Sequence, residues 1–330
     1  MRPSRKTVAA ERRSEPAHER GLELRQLQYF LAVIANGSLS RASAVLGITQ
    51  PVLSRAIQQL ESVVGTRLFY RHGRGIRLTE KGLQFQAAVE PALRHILEAK
   101  QALNSSANVP TGSIAIGMPP SMSAVVGSRL VEVFLERYPR VKLRLVDAFS
   151  GYVNEWLVAG RLDMAVINGA RRSPQVRMDP LLTVDLFHVA RRDMVDVAAR
   201  NETTLAFERL CNLPLILPGQ HHGLRRQLDN VARAQGVKLN VLLEIDALEA
   251  LKDLVRRGVA STVLPQGAIL RELADAQLVA RRLVAPDVTM QFMIAYSSQR
   301  QTTLAMRELA RVLRLEVRRA VSEGRLMGRV

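Results

Sequence analysis

One face of a short predicted helix carries the side chains best suited to recognise a partner. Apolar side chains recur at helical spacing within residues 50–61 (QPVLSRAIQQLE) and predict one buried stripe. The stripe consists of Leu53, Ile57 and Leu60, and the opposite face carries Gln50, Ser54, Arg55 and Gln58. In a DNA major groove, Gln pairs bidentately with adenine, and Arg binds guanine or the phosphate backbone. The pattern therefore indicates a DNA-reading helix, with an ordinary solvated helix face as the alternative.

A second short helix and a tight turn position that face. The preceding helix is predicted from apolar residues at helical spacing, namely Leu39, Ala42, Val45 and Leu46. Gly47 and Ile48 interrupt this run. Thr49 is predicted to cap the next helix with its hydroxyl, and Pro51 is tolerated in the first turn. Ser38 is predicted to cap the first helix of the pair. This order of elements is typical of a helix-turn-helix motif.

A basic hairpin follows the helix pair. Two β-like stretches, residues 69–71 and 76–78, flank a Gly73-Arg74-Gly75 turn and predict a wing. Upstream, residues 24–35 predict a helix that backs the pair. The wing would hold three cations against the phosphate backbone of a bound duplex, namely Arg71, Arg74 and Arg77.

The charge of the sequence favours an anionic partner. Between Leu24 and Lys81 there are eight Arg or Lys residues against two acidic residues, Glu61 and Glu80. The whole chain of 330 residues carries a formal net charge of +17. Such a charge suits nucleic acid, and it is also compatible with membranes or acidic metabolites.

From Leu24 to about Lys100 the sequence resembles the winged helix-turn-helix of the LysR-type transcriptional regulators. The resemblance lies in an ordered series of segments: LRQLQYFLAV, GSLSRAS, TQPVLSRAIQQLE, GTRLFYR and LTEKG. It implies double-stranded promoter DNA as the partner, with the turn, the Gln-Pro opening and the Ser-Arg pair near the DNA. The exposed face and the resemblance together give the predicted DNA-binding set: Ser38, Thr49, Gln50, Pro51, Ser54, Arg55, Gln58, Arg71, Arg74 and Arg77.

A long helix is predicted after the wing. Residues 80–107 contain no glycine after Gly82, and Thr79 is positioned to cap them. A 4-3-4-3 spacing predicts a coiled-coil seam of Val89, Leu93, Ile96, Lys100 and Leu103. Pro91 is expected to kink the helix or to lie where no backbone donor is needed. The resemblance implies that this helix pairs two subunits, so we expect a homodimer that associates into a homotetramer. The alternative is a helix packed on its own domain.

Beyond a hinge at residues 108–112, strands alternate with helices. The first series has predicted strands at residues 113–117, 142–146 and 164–167 and helices at about 122–137 and 152–160. The second has strands at residues 185–189, 214–217, 239–244 and 261–264, and the chain returns through residues 291–296 and a long final helix. The alternation in the first series predicts a parallel sheet. We expect two α/β lobes, one at about 113–183 with 285–330 and the other at about 184–284.

A cleft between two such lobes is the expected ligand site, because ligands of open α/β sheets bind beyond the carboxyl ends of strands. Loops at those ends supply the predicted effector-binding residues: Ser121, Met122, Ser123, Asn168, Gly169, Pro218, Gly219, His221, Val263 and Leu264. Helix amides near Ser121, together with Arg225 and Arg226, would suit a small anionic effector. Alternatively, Ser121 is a simple helix cap and the two arginines form a solvated face.

The second half again resembles the LysR-type family, whose effector-binding domain has the architecture of the periplasmic binding proteins. GRLDMAVINGA, PLLTVDLF, LPLILPGQ and GVASTVLPQGA further resemble the branch that contains the nitrogen assimilation control regulator. Members of that branch need not use a small-molecule inducer. The resemblance covers roughly residues 22–310. The expected fold is α/β with an N-terminal winged helix-turn-helix at 23–80, a linker helix at 81–107 and a two-lobed effector-binding domain at 113–330. Residues 1–22 are expected to be a disordered basic extension.

Other functional classes are disfavoured. No run approaches the ~18 apolar residues of a membrane span, and the first residues lack an apolar signal core, so we expect a cytoplasmic protein. Motifs such as G-x-S-x-G, G-x-x-x-x-G-K-[ST] and H-E-x-x-H do not occur, so we expect no enzyme, cofactor or metal. The single cysteine, Cys211, is expected to pack. The sequence predicts a regulator whose effector changes DNA bending and RNA polymerase access, with a small-molecule binding or transport protein as the alternative.

Overall fold

The computed structural model of the protein describes residues 21–72, 75–104, 109–147, 150–168, 174–196, 201–298 and 301–330. Two predicted site residues, Arg74 and Gly169, lie outside the described residues. Residues 1–20 of the predicted basic extension, residues 105–107 of the predicted long helix and residue 108 of the hinge also lie outside them. The chain forms two compact units, Met1–Ile96 and Leu97–Val330.

The first unit contains the predicted helix-turn-helix and wing. Its elements are α1 (Leu24–Asn36), α2 (Leu39–Leu46), α3 (Gln50–Val64), β1 (Phe69–His72), β2 (Gly75–Leu78) and the start of α4 (Glu80–Asn104). The strands β1 and β2 pair antiparallel. Each of the first three helices ends at a glycine with a positive φ, of 65°, 66° and 73° respectively. Glycine adopts this conformation without a side-chain clash, so Gly37, Gly47 and Gly65 permit the tight turns.

An apolar core holds this unit together. Phe30, Val33, Leu53, Ile57 and Leu60 are each at most 1% exposed. The stripe predicted on α3 therefore faces the core, which confirms the helical spacing and leaves the other face of α3 outside.

Thr79 begins α4 as predicted. Its Oγ1 accepts a hydrogen bond from the Gly82 amide at 2.9 Å and donates one to the Arg67 carbonyl at 2.8 Å. The helix continues through Pro91 to Asn104. The prediction of one long helix after the wing is confirmed.

The second unit begins with the predicted alternation of strands and helices. Its first elements are β3 (Gly112–Met118), α5 (Pro120–Met122), a π-helical turn (Ser123–Gly127), α6 (Ser128–Arg137), β4 (Val141–Asp147), α7 (Ser150–Val158) and β5 (Met164–Asn168). The strand β3 pairs in parallel with both β4 and β5. The parallel arrangement of the first series is confirmed, since each connection contains a helix that returns the chain.

The chain then builds the second lobe and returns to the first. These elements are β6 (Val176–Arg191), β7 (Thr204–Ala206), α8 (Phe207–Cys211), β8 (Leu215–Leu217), α9 (Gly223–Ala234), β9 (Val241–Glu244), α10 (Leu248–Arg256), β10 (Thr262–Pro265), α11 (Leu270–Ala274), β11 (Leu278–Val284), β12 (Thr289–Ser297), α12 (Leu304–Ser322) and β13 (Gly328–Arg329). Cys211 is buried in the apolar core of this unit, where its thiol donates to the Phe207 carbonyl at 3.4 Å.

The second series combines parallel and antiparallel pairs of strands. The long strand β6 pairs antiparallel with β12 as far as Asp185, and from Leu186 onward it pairs antiparallel with β10 and β11. The strand β12 also runs antiparallel to β5. The strand β12 is antiparallel to β6 because β6 carries the chain out of the first lobe and β12 carries it back. Parallel pairs in this lobe, within the described part of the chain, are β8 with β9 and β7 with β11.

The last residues fold onto β6. Gly328 and Arg329 pair with Val184 and Thr183, and Leu326 is only 3% exposed. The sequence did not predict this strand, because two residues are too few to show an alternating pattern.

Candidate nucleic-acid interface and interlobe cleft

The helices α2 and α3 each have a residue near their start that favours helix initiation, Ser38 for α2 and Pro51 for α3. Ser38 Oγ accepts a hydrogen bond from the Arg41 amide at 3.2 Å and caps α2, as predicted. Thr49 occupies the capping position of α3, but within the described residues its side chain makes no capping hydrogen bond. The predicted hydroxyl cap is therefore wrong. Pro51 is the second residue of α3, where the helix needs no amide donor and where the fixed φ of proline suits the first turn.

The face of α3 opposite the core is open. Its exposed residues are Gln50, Pro51, Val52, Arg55, Gln58 and Gln59, and Ser54 is partly exposed. The structure thus brings the predicted α3 residues together on one surface. Val52, at 49% exposure, was not among the predicted residues of this face, which are polar apart from Pro51. Its place beside Leu53, off the buried stripe, is the signal that would have found it.

A carboxylate attaches the wing to the end of α3. Glu61 Oε1 accepts hydrogen bonds from the amides of Leu68 at 2.8 Å and Phe69 at 3.1 Å. The first strand of the wing is therefore fixed relative to the last turns of the helix. This geometry lets the wing and the helix approach one partner together.

Two of the three predicted wing arginines lie on the strands of the hairpin. Arg77 lies on β2 and is exposed, and Arg71 lies on β1 opposite Ile76. Arg74, which was assigned to the turn, falls outside the described residues. An exposed cation on β2 is available to a phosphate backbone.

The predicted dimerisation residues differ in exposure. Val89 and Leu93 are each 6% exposed, whereas Ile96 is 48% exposed, and Leu103 lies in the last turn of α4. Leu97, which was not predicted, is 40% exposed. Among the described side chains of this helix, the large apolar ones that are exposed are thus Leu83, near its start, and the adjacent pair Ile96 and Leu97.

A cleft between the lobes of the second unit includes four of the predicted effector-binding residues. Its lining is Pro119, Pro120, Ser121, Asn168, Pro218, His222, Leu224, Ile245, Leu248, Leu251, Leu264, Pro265 and Met290. Ser121, Asn168, Pro218 and Leu264 are the predicted residues in this set. Met122 and Val263 are buried in the core, and Ser123, Gly219 and His221 lie outside this lining.

The main residue that the sequence missed in this cleft is His222. The helix α9 begins at Gly223, which places His222 at the capping position and turns it toward the cleft, whereas His221 is exposed. Placing the predicted start of this helix at Gly223 would have identified His222 as its capping residue. Met290 comes from the returning strand β12, and no local pattern indicated its role.

The two lobes meet closely at two glycines. A Cβ atom at Gly223 would overlap the Asn168 carbonyl oxygen, and a Cβ atom at Gly151 would lie 3.1 Å from the His221 carbonyl oxygen. The cleft leaves about 40 Å³ for water-sized molecules. Small-molecule pockets usually measure ~300–1,000 Å³. A ligand of more than a few atoms therefore requires the lobes to separate.

The two arginines that were expected near the cleft are engaged with other groups. Arg225 is paired with Asp229 and with Glu244, whose Oε1 lies 2.6 Å from Arg225 Nη1. Arg226 donates to the His221 carbonyl at 2.6 Å. Within the described residues, the lining contains no Arg, Lys, Asp or Glu. The expectation of an anionic effector stays a prediction, because backbone amides can also bind an anion. The described lining itself suits a mainly apolar ligand with few hydrogen-bonding groups.

His222 is a neutral hydrogen-bond acceptor in this lining. Its Nδ1 accepts a hydrogen bond from the Leu224 amide at 3.2 Å and so caps α9. The residue is 9% exposed. Burial lowers the pKa of the His222 imidazole to about 4, and the raising effect of Asp246 and the lowering effect of Arg226 are smaller.

We expect the second unit to lose stability as the pH falls from 7 toward 5. The unfolded chain binds a proton at His222 with a pKa near 6.5, whereas the folded chain binds it at about 4. The unfolded state thus holds more protons in this window, and folding becomes less favourable by about 2 kcal/mol at pH 5. Burial also lowers the pKa of His188, to about 3, which acts in the same direction.

Urea unfolding at pH 7 and pH 5 checks this prediction. The His222→Asn variant keeps a side-chain acceptor at the start of α9 and removes the titration. Its unfolding midpoint is expected to fall less between the two pH values than that of the wild type. Equal falls for both proteins would contradict the role of His222.

Two further features of the described residues bear on function. None of their helices is both long enough and apolar enough to cross a membrane. Nor do they contain a group of three or more His, Cys, Asp or Glu side chains arranged to hold a metal ion.

Two family models match the sequence. Residues 24–83 match the model described as "Bacterial regulatory helix-turn-helix protein, lysR family", and residues 107–318 match the "LysR substrate binding domain". The HTH-type transcriptional regulator BbuR of Bordetella bronchiseptica is 28% identical over 323 residues, covering 97% of this chain and 98% of that protein. The nitrogen assimilation regulatory protein nac of Klebsiella aerogenes is 27% identical over 283 residues, covering 84% and 90%.

Solved structures share the fold. A full-length OxyR variant from Pseudomonas aeruginosa has a TM-score of 0.66 at 20% identity, covering 91% of this chain and 96% of that one. Full-length CbnR, determined with its target DNA, has a TM-score of 0.65 at 20% identity, covering 91% and 100%. The arrangement of a helix-turn-helix unit followed by a two-lobed α/β unit is thus common to these proteins.

Proposed function

The chain belongs to the LysR family and is a DNA-binding transcriptional regulator, and from this premise we propose that it binds promoter half-sites as a homo-oligomer. The observation that carries the binding mode is the open face of α3, on which Gln50, Arg55 and Gln58 are exposed opposite the core. Such a helix enters the major groove, where Gln and Arg side chains reach base edges. Arg77 on the wing then lies beside the phosphate backbone.

Charge and fold support this mode. The excess of six positive charges between Leu24 and Lys81 attracts a duplex of any sequence, and the polar face of α3 adds the sequence preference. CbnR, which has the same fold, was determined with its target DNA.

Fluorescence anisotropy across a salt series tests the proposal. The purified protein is titrated with the duplex upstream of its own gene and with a scrambled duplex of the same length and composition. A preference for the upstream duplex that persists at high salt is expected, because base contacts depend less on salt than phosphate contacts do. Equal and steeply salt-dependent binding to both duplexes would contradict specific binding at this promoter.

The helix α4 is the element that we propose pairs two chains. A dimer presents two recognition helices to a nearly palindromic site, and pairs of dimers give the tetramer. The exposed Ile96 and Leu97 support this assignment, because adjacent apolar side chains on a helix surface are stabilised when a second helix covers them.

Replacing Ile96 by glutamate is expected to weaken self-association by about 100-fold or more, since burying one such side chain in each chain is worth about 1.5–3 kcal/mol. Sedimentation velocity over a concentration series measures the change. Val259→Glu is the matched control, because Val259 is similarly exposed at 46% but lies in the loop after α10. An unchanged association constant for Ile96→Glu would exclude this surface as the seam.

The interlobe cleft is the site that we propose for an effector. Its lining is mainly apolar, and the closed lobes leave little free space, so a ligand would have to bind by separating them. A change in lobe separation within the oligomer would alter DNA bending and the access of RNA polymerase to the promoter. The regulator acts in the cytoplasm, where bacterial promoters lie. The alternative of a small-molecule transport protein is not favoured, because the helix-turn-helix family model matches residues 24–83.

A further inference from the structure

The first turn of the recognition helix contains a single side chain that can hydrogen-bond a base. Residues 50–53 are Gln, Pro, Val and Leu. Pro51 and Val52 are exposed but apolar, and Leu53 is buried. The orientation of the Gln50 amide therefore determines which base edge this turn recognises.

A serine from the preceding helix fixes that orientation. Ser40 is the second residue of α2, and its hydroxyl donates a hydrogen bond to Gln50 Oε1 at 3.0 Å. Both side chains are exposed. The bond thus crosses the turn of the helix-turn-helix on the outer surface, where it contributes nothing to core packing.

The hydrogen bond from Ser40 leaves the Gln50 amide able to bind a base. An amide oxygen has two lone pairs, so Gln50 Oε1 can accept from Ser40 and from a base donor together, while the NH2 group still donates. Adenine offers N7 as an acceptor and N6 as a donor, whereas guanine offers two acceptors, N7 and O6. The bidentate contact of Gln with adenine, expected from the sequence, uses Oε1 as the acceptor for N6 and the NH2 group as the donor to N7, and the Ser40 bond holds the amide in one orientation for it.

We propose that Ser40 is a positioning residue that holds the Gln50 amide in the orientation that recognises adenine in preference to guanine. This role rests on the proposed DNA-binding mode of α3. Ser40 acts through the amide of Gln50, so its removal changes the base preference at one position and leaves the other contacts of α3 in place.

Selection from randomised duplexes by the full-length protein provides the test. The base pair contacted by Gln50 is the one whose consensus is lost in Gln50→Ala. At that pair the wild type is expected to favour adenine over guanine by about 10-fold, and 7-deazaadenine, which lacks the N7 acceptor, is expected to bind more weakly. Ser40→Ala is expected to reduce the preference to about 2-fold or less, whereas Ser40→Thr, which keeps the hydroxyl, retains it.

Two controls separate positioning from other roles. Ser62→Ala removes another exposed hydroxyl of this unit, from the last turn of α3, and is expected to leave the consensus unchanged. In the Gln50→Ala background, Ser40→Ala is expected to cause no further loss, because its partner is already absent.

Three results would overturn the proposal. A wild-type preference for guanine would show that the Gln50 amide does not make the bidentate contact with adenine. An equal loss from Ser40→Ala with and without Gln50 would assign Ser40 a phosphate contact of its own. If the wild type selected no consensus at all, the protein would not bind DNA in a sequence-specific way. Only this result would contradict the proposed function as well.

Discussion

Replacing Arg55 by alanine is expected to lower the affinity for the specific duplex by roughly 10- to 100-fold, which corresponds to the loss of one good base or phosphate contact. Arg55 is exposed on the face of α3 opposite the buried stripe. The folded state should therefore lose little stability, since surface substitutions of this kind usually change it by less than about 0.5 kcal/mol.

Anisotropy titrations with the selected duplex, together with thermal unfolding, measure the two effects separately. Arg318→Ala is the matched control, because it removes the same charge from an exposed position on α12. The control should bind both specific and scrambled duplexes nearly as the wild type does. If Arg55→Ala and Arg318→Ala bound the specific duplex equally well, Arg55 would not lie in the groove, and the assignment of the α3 face would be wrong.

The fold of the first unit could be predicted closely, because the residues that determine its turns and its buried stripe are close together in the sequence. Each of its turns depends on a glycine within the turn, and the stripe of α3 is visible from the spacing of Leu53, Ile57 and Leu60 alone. The Glu61 bonds to the wing amides could not be predicted in the same way. A carboxylate that caps a neighbouring strand leaves no periodic pattern in the sequence.

The second unit was harder to predict because its geometry depends on contacts between distant segments. The strand β6 changes partners between Asp185 and Leu186, and its 16 residues were predicted only at 185–189. Its first half contains Asp179 and Pro180, which interrupt the alternation of apolar and polar residues. Pairing with the returning strand β12 stabilises this half nevertheless.

The charge near the cleft was also difficult to predict, because it depends in part on contacts between distant segments. The sequence places Arg225 and Arg226 beside the loop at His221, which indicates a basic site. In the folded chain Arg225 is neutralised by Asp229, one helical turn away, and by Glu244 on β9. The first partner could have been read from the i,i+4 spacing, whereas the second depends on the pairing of β8 with β9.

Replacing Phe30 by alanine is expected to destabilise the first unit by about 3–5 kcal/mol, which is a large share of the ~5–15 kcal/mol that stabilises a typical domain. Phe30 is fully buried, and its ring lies 5.2 Å from the ring of Phe69 and 5.2 Å from that of Phe85. It thus joins α1 to the first wing strand and to α4. Removing it leaves a cavity at the point where these three elements meet.

Hydrogen exchange followed by mass spectrometry separates this effect from a change in the second unit, which has its own apolar core. Amides of residues 24–72 should exchange faster in Phe30→Ala, those of the second unit should keep their protection, and specific DNA binding should be lost.

Two control variants should have smaller effects. Phe30→Leu keeps most of the volume and should cost less than about 1.5 kcal/mol of stability. Tyr70→Ala, at a 54% exposed position on the wing, should cost little. Wild-type protection in Phe30→Ala would mean that the first unit does not depend on this aromatic cluster, and its stability would then have to come from the Leu53, Ile57 and Leu60 stripe alone.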